Sequence, residues 1–406
     1  MNLFSGMRVI FVGMLFWHMY LGAQDAKQPK LLPVDISFFA IDLKFNCGDV
    51  KMLEFQDGPT AGLRAHEFVF GKGEIWKAFW DELFVFGLPV WYVGPQPIRV
   101  AHDEFNHDDY EHVAFDYFKK LGGNYAPSFS KLANNRIFSN TSVVLQNDRF
   151  PKSVKNIVMF KFDDPGSSQV RQFVVDHPHS LLVNRYMRSF TADKLVMQSL
   201  CAAAGINHLR PRYGVFPKIY TSDLAQKIKQ EIGGDMFVIK PLNSSRSNGV
   251  VVVKAEDLDR ILKQHVTNPA PRAMTGRTFQ PPHTETLVYW RHDPNQKFIV
   301  EAFCPSQEIR VNGKRYDPSM RVVWFMASNG EKIAVKRLCA FWKVALKSLD
   351  ESGSLSEKYV SQFRGDLSGL NPQDLTVSDD DLALLDVGMI PALTKMYEYV
   401  LQHPVW

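Results

Sequence analysis

The sequence predicts a mixed α/β and α+β chain of two or three domains, and three observations carry that reading. Its 406 residues leave room for two or three domains at about 150 residues each. A hydrophobic content of 45% supports sizeable cores and rules out disorder for most of the chain. Strand-like alternation recurs between amphipathic segments along the chain, without an internal repeat or low-complexity tract. Lys and Arg exceed Asp and Glu by 47 − 43 = 4, too few and too dispersed for a nucleic-acid footprint. Cys47, Cys201, Cys304 and Cys339 show no C-x-x-C spacing, which argues against a disulfide scaffold or zinc site and leaves them as small buried hydrophobes.

The elements follow in order. Residues 8–22, RVIFVGMLFWHMYLG, form an apolar leader shorter than the about 20 residues a membrane span needs. A signal peptide, an anchor associating with a membrane and an upstream extension from a misassigned start stay open, so localisation stays unassigned. DISFFAIDLKF and VKMLEF, separated by Asn46-Cys47-Gly48-Asp49, predict a hairpin. Ile75, Trp76, Phe79, Trp80, Leu83 and Phe84 lie at helical spacing, predict a core helix within 72–86, and precede the strand VWYVG. A short helix over Phe115–Leu121 and strands in SVVLQN, NIVMFKF and SLLVN complete an α/β unit over 71–185.

Beyond it, Thr191 caps a helix stopped by Gly205, and a second helix runs from Ser222 to Gly233. The strand MFVIKP, the polar loop NSSRSNG, the strand VVVVK and a helix over 256–264 come next. A Pro-rich run at 268–282 predicts a linker or surface loop. FIVEAF and MRVVWFM read as strands, and Ser378 opens a helical region to Gln402 that Pro391 breaks or kinks.

Two segments carry chemistry. In DMFVIKPLNSSRSNGVVVVK, Lys240 ends a strand directly before a Ser/Asn/Gly loop, an order that can hold a polyphosphate as well as form a plain hairpin with a solvated lysine. The P-loop order is absent. In AIDLKFNCGDVKMLEFQDGPTAG, Asp42 lies on one strand and Glu54 and Gln56 on the next, with 54 and 56 on one face because strands alternate. That pattern suits a magnesium site, or an edge hairpin with exposed acids.

With the helix-proximal Lys194 upstream and Glu301 closing FIVEAF downstream, the order of these pieces over roughly 184–345 resembles the ATP-grasp superfamily. The resemblance implies that Lys194 and Lys240 bind ATP, that Ser244, Ser245, Arg246 and Gly249 belong to a lid loop, and that Glu301 with the backbone of Ala302 and Phe303 forms the adenine hinge. Family members carry their acidic magnesium ligands after the strand arginine, here Arg321. No such pair follows it, and Asp379-Asp380-Asp381 read as the first turn of the last helix.

The hairpin with Asp42, Glu54 and Gln56 resembles the missing part placed first, as in the circularly permuted glutathionylspermidine synthetases and eukaryotic glutathione synthetases. Gln56 stands where those members carry Asn. The implied division is 1–30 signal-like or anchor, 31–70 metal-binding strand pair, 71–185 inserted α/β substrate domain and 186–406 ATP-binding subdomains with a C-terminal helical region.

The implied reaction is ATP- and magnesium-dependent joining of a small-molecule or peptide carboxylate to an amine through an acyl phosphate, with Arg321 and Lys240 catalytic. Phosphorylation without ligation and nucleotide binding without turnover are the alternatives. Arg310 is the weaker strand arginine, and Asp317 reads as a turn residue before Pro318. His66 and Glu67 read as surface residues, and Trp76, Phe79 and Trp80 as core.

Overall fold

Residues 35–46 set the architecture, because their alternation gives both faces of one strand something different to bury. The computed structural model describes residues 33–57, 63–94, 108–128, 131–132, 155–160, 168–187, 194–242, 247, 249–266, 286–361 and 369–403. The first elements are β1 (Asp35–Asn46), β2 (Asp49–Asp57), α1 (Leu63–Phe70), α2 (Glu74–Phe84), β3 (Val90–Val93), α3 (Asp108–Lys120), β4 (Asn124–Ala126), β5 (Asn156–Phe160), α4 (Ser168–Asp176) and β6 (Ser180–Leu182). Then come α5 (Lys194–Ala203), β7 (Tyr213–Pro217), α6 (Leu224–Ile232), β8 (Met236–Pro241), β9 (Val251–Lys254), α7 (Leu258–Val266), α8 (Thr286–His292) and β10 (Lys297–Ala302). The chain closes with β11 (Ile309–Val311), β12 (Lys314–Tyr316), β13 (Ser319–Ser328), β14 (Ile333–Lys343), α9 (Leu355–Tyr359) and α10 (Asp379–Gln402).

β1 and β2 form the expected hairpin and join the far end of the chain in an antiparallel sheet of order β14-β13-β1-β2. Phe39, Ile41, Leu43 and Phe45 point into a core shared with α5 and α10. Ile36, Phe38 and Ala40 point the other way, onto Ile75, Trp76, Phe79 and Trp80 of α2. These aromatic residues are core, as their spacing requires. Farther along β1 the α2 side of the strand changes character: Asp42 and Lys44 continue it with charge.

A second antiparallel sheet, β7-β10-β8-β9, carries α6 and α7 on one side, where Phe237, Ile239, Phe298 and Val300 meet Ile228 and Leu262. Its other side faces a cleft. A third sheet, β4-β3-β5-β6, is parallel, in line with an α/β unit in the middle of the chain.

α10 begins where expected, with the Ser378 hydroxyl accepting from the Asp381 N–H and three Asp residues in the first turn. It runs on through Pro391. The carbonyl orphaned by that proline belongs to Val387, which is 69% exposed and so open to water. β14 and α1 were not read from the sequence. The predicted strand SVVLQN, the Pro-rich run at 268–282, the Thr191 cap and the leader at 8–22 lie outside the described residues. Among the described residues no helix is long and apolar enough to cross a membrane. All four cysteines are free, and of the four expected to be buried only Cys201 is: Cys304 and Cys339 are partly exposed, and Cys47 sits exposed in the β1–β2 turn at φ 49.

Candidate active site: two carboxylates that each hold two cations

A cleft partly open to solvent lies between the two antiparallel sheets. Asp42, Glu54 and Lys343 line it from the central sheet, and Lys194 and Lys240 from α5 and β8. Val238, Val250, Val252 and Phe303 supply apolar wall.

Register explains the central-sheet side. Asp42 pairs with Arg321 of β13 on one flank and with Glu54 of β2 on the other. The register shifts between Asp42 and Leu43, since Leu43 pairs with Met52, which leaves Leu53 as the extra residue of a bulge. The bulge aligns Glu54 and Gln56 with the face carrying Asp42. Arg321 Nε and Nη2 donate to Asp42 Oδ1 and Oδ2 at 2.7 and 2.8 Å, Lys343 Nζ donates to Oδ2 at 2.7 Å, and Gln56 Nε2 to Oδ2 at 3.2 Å. Burial opposes the Asp42 charge, yet Arg321 and Lys343 overcome it and hold the carboxyl well below the usual carboxylate range. Burial and the neighbouring Arg321 push Lys343 down.

The second sheet repeats the device. Glu301, 1% exposed, accepts from Arg210 Nη2 at 2.8 Å through Oε1 and from Lys240 Nζ through Oε2. Burial again opposes the charge, and Lys240 and Arg210 together draw the carboxyl down. Arg210 also donates to Gln198 Oε1 at 3.2 Å and to the Met52 carbonyl, which ties this sheet to β2. Lys194 donates to the Leu242 carbonyl at 3.4 Å, and burial lowers its pKa.

The structure therefore brings Lys194, Lys240, Asp42, Glu54 and Gln56 to one place, with three adjustments. Glu301 is committed to an ion pair, so its side chain is a lysine positioner. The N–H groups of Ala302 and Phe303 donate to the carbonyls of Arg212 and Met236 at 2.8 and 3.0 Å, because β10 is the inner neighbour of β7 and β8. Among the described residues the first hinge N–H without a backbone acceptor is that of Cys304. Arg321 does not line the cleft; it acts through Asp42.

Gly249 is pinned at φ +70, its carbonyl accepting from Trp290 Nε1 at 2.7 Å. Ser244, Ser245 and Arg246 lie outside the described residues. Asp317 is no solvated turn residue: it is buried, accepts from Lys44 Nζ, and takes the Ser306 N–H at 3.1 Å. Burial pushes the Asp317 carboxyl up and the Lys44 ammonium down. Arg310 is exposed and donates to the Gly313 carbonyl at 3.0 Å. His66 is buried, with its ring 4.7 Å from that of Phe70 and 6.1 Å from that of Phe341, and Glu67 accepts from the Gly73 N–H. Both were expected at the surface. α1 carries them under an aromatic lid that sequence spacing did not reveal.

The donor set fits a divalent cation, but less generously than expected. Gln56 Nε2 donates to Asp42 Oδ2 at 3.2 Å and to Glu54 Oε2 at 3.5 Å, so the three side chains meet, and the amide must turn its Oε1 inward to ligate an ion. The charge of Asp42 is nevertheless already met by two cations, which leaves Glu54 as the acid better able to face an ion. Among the described residues no three His, Cys, Asp or Glu side chains gather in a metal-binding group. Sequence reasoning missed Lys343, Arg210 and Lys44. Only Lys44 left a signal, two residues after Asp42 on the same strand face.

No family model and no curated protein matches the chain. Solved structures similar to it include a candidate gamma-glutamylcysteine synthetase from Methylobacillus flagellatus, at 10% identity over 91% of this chain and 89% of that one, with a TM-score of 0.42. D-alanyl-alanine synthetase A from Vibrio cholerae is 10% identical over 77% and 80%, TM-score 0.34. VanG D-Ala:D-Ser ligase from Enterococcus faecalis is 12% identical over 77% and 82%, TM-score 0.37. Likeness at this level carries no argument about the reaction of this chain.

Proposed function

We propose that the chain is a permuted ATP-grasp enzyme that binds ATP with magnesium and joins a carboxylate to an amine through an acyl phosphate. One observation supports this above the rest: Lys194 and Lys240 from one side and Asp42, Glu54 and Lys343 from the other line a single cleft. Lys194, Lys240 and Lys343 present three ammonium groups for phosphate oxygens. Each has three donors, so Lys240 keeps two after its bond to Glu301. The apolar wall of Val238, Val252 and Phe303 suits a base, with the Cys304 N–H as its donor.

Glu54 and Gln56, beside Asp42, would hold magnesium, whose charge would offset that of the β- and γ-phosphates. The carboxylate oxygen attacks the γ-phosphorus and ADP leaves; the amine then attacks the acyl carbon, releasing phosphate and one proton. The pairing of β1 with β13, which places Asp42 beside Arg321 from far downstream, supports the permuted order.

The pairing of Asp42 with two cations favours a second reading, nucleotide binding without turnover. Release of ADP from the full chain separates them when it is measured with ATP, Mg²⁺ and mixtures of carboxylates and amines. The proposal expects ADP that depends on both co-substrates, and its loss in Lys240→Ala and Glu54→Ala with the circular dichroism spectrum kept. Full activity in Glu54→Ala would overturn the metal assignment. ADP without amine dependence would mean phosphorylation alone, and nucleotide binding without any ADP would mean a non-catalytic relative.

A further inference from the structure

We infer that Lys343 is a third phosphate-binding cation, standing where a second divalent ion would otherwise sit, so that nucleotide enters this cleft with one ion. The inference rests on the nucleotide reading above and concerns the same site.

The geometry begins at Asp42. A carboxylate offers about four acceptor positions. On Asp42, Oδ2 takes Arg321 Nη2, Lys343 Nζ and Gln56 Nε2 at 2.8, 2.7 and 3.2 Å, and Oδ1 takes Arg321 Nε at 2.7 Å. Oδ2, the oxygen that Gln56 links to Glu54, is crowded by three donors, and an ion on Asp42 would sit against the charges of Arg321 and Lys343, from which three of the four contacts come. Glu54 is different: it is half-buried, lines the cleft, and takes only a long contact from Gln56 at 3.5 Å among the described residues. One acid is left for one ion.

Lys343 fills the other role. It lines the cleft from the central sheet, whereas Lys240 lines it from β8. Each lysine is held from behind by a carboxylate whose remaining oxygen binds an arginine outside the cleft lining, Arg321 in one case and Arg210 in the other. In both groups the acid cancels one cation, and the surplus charge sits on the lysine that faces the ligand. A fixed ammonium neutralises phosphate charge as an ion does, without needing metal in solution.

The test uses the full chain, the non-hydrolysable analogue AMPPNP and Mn²⁺, with bound ion counted by electron paramagnetic resonance. The parent is expected to bind one Mn²⁺ per bound AMPPNP, without a spin-coupled pair signal. Lys343→Met should weaken AMPPNP about 10- to 100-fold, the effect of one charged hydrogen bond, and Lys343→Arg should restore most of it. Two Mn²⁺ per bound nucleotide in the parent overturns the inference alone, as does unchanged affinity in a folded Lys343→Met. No AMPPNP binding by the parent overturns the nucleotide reading and this inference together. The parent stoichiometry decides the matter even where Lys343→Met does not fold.

Discussion

The Asp42→Asn substitution probes the arrangement most directly, since it removes one charge and almost no volume. Arg321 and Lys343 are 4% and 5% exposed, and Asp42 is the acid that both contact. Breaking a buried ion pair from one side typically costs about 3–5 kcal/mol, because the partner charge stays buried and unpaired. At about 2.1 cal/mol/K per residue, cooperative unfolding of a chain this long has an entropy near 0.85 kcal/mol/K, so the melting temperature should fall by roughly 4–6 °C.

The assay is a thermal melt at pH 7.5 in low and high salt. The loss should persist in high salt, because buried pairs are poorly screened. The Asp42→Asn/Lys343→Met double variant should recover part of it by removing one stranded cation. Because the folded carboxyl titrates below its unfolded value near 3.9, its contribution is complete above about pH 5 and vanishes only as acid protonates the folded form. The reasoning is refuted if Asp42→Asn melts within about 1 °C of the parent, or if the double variant melts lower than the sum of the singles.

Two further predictions concern the frame around the cleft. A Cβ at Gly249 would lie 2.9 Å from Pro241 Cγ and 3.1 Å from Tyr289 Cβ at φ +70, whereas one at Gly205, also at φ +70, would meet nothing within 4 Å. Gly205→Ala should therefore lose only the left-handed backbone cost of about 1–2 kcal/mol, and Gly249→Ala clearly more, by thermal melt; equal losses would refute the contact argument. Asp35 is pushed up to about 7 by burial, against the pull of Tyr397 and Arg185. The folded chain thus keeps this proton to higher pH than the unfolded one, and the stabilisation is complete below about pH 4 and lost as pH rises towards 7. Urea midpoints at pH 5 and 7.5 should differ less in Asp35→Asn than in the parent, and an unchanged difference would refute the assignment.

What the sequence revealed and what it hid divide along a physical line. β1, β2, β8, β9 and β10 were legible because each combines alternation with a turn signal at its end. Asp42, Glu54 and Gln56 were legible because same-face spacing on a strand survives any tertiary packing. β14 was not: IAVKRLCAFWK places Lys336, Arg337 and Lys343 in a strand that reads as a surface segment until its partner β13 is known. Lys343 was hidden with it, since its meaning comes from Asp42, 301 residues away in sequence. His66 failed for the same reason, buried against aromatic neighbours such as Phe341 that one-dimensional spacing cannot supply.

The paired ion groups also bear on why charge is buried here at all. Replacing such a group by apolar residues often leaves a protein as stable or more so, so fold stability alone does not explain Arg321-Asp42-Lys343 or Arg210-Glu301-Lys240. Their common property is orientation. A lysine has four flexible carbons, and ordering it costs entropy each time a ligand binds unless something holds it beforehand. A carboxylate bonded to an arginine on its far side gives that hold without cancelling the charge, since two cations share one acid. Two sheets of different topology reach this solution on opposite walls of one cleft, and in each group the lysine lines the cleft while the arginine does not. An anion that engages both lysines at once must touch both walls, and it then meets on each side a cation already held in place by its carboxylate.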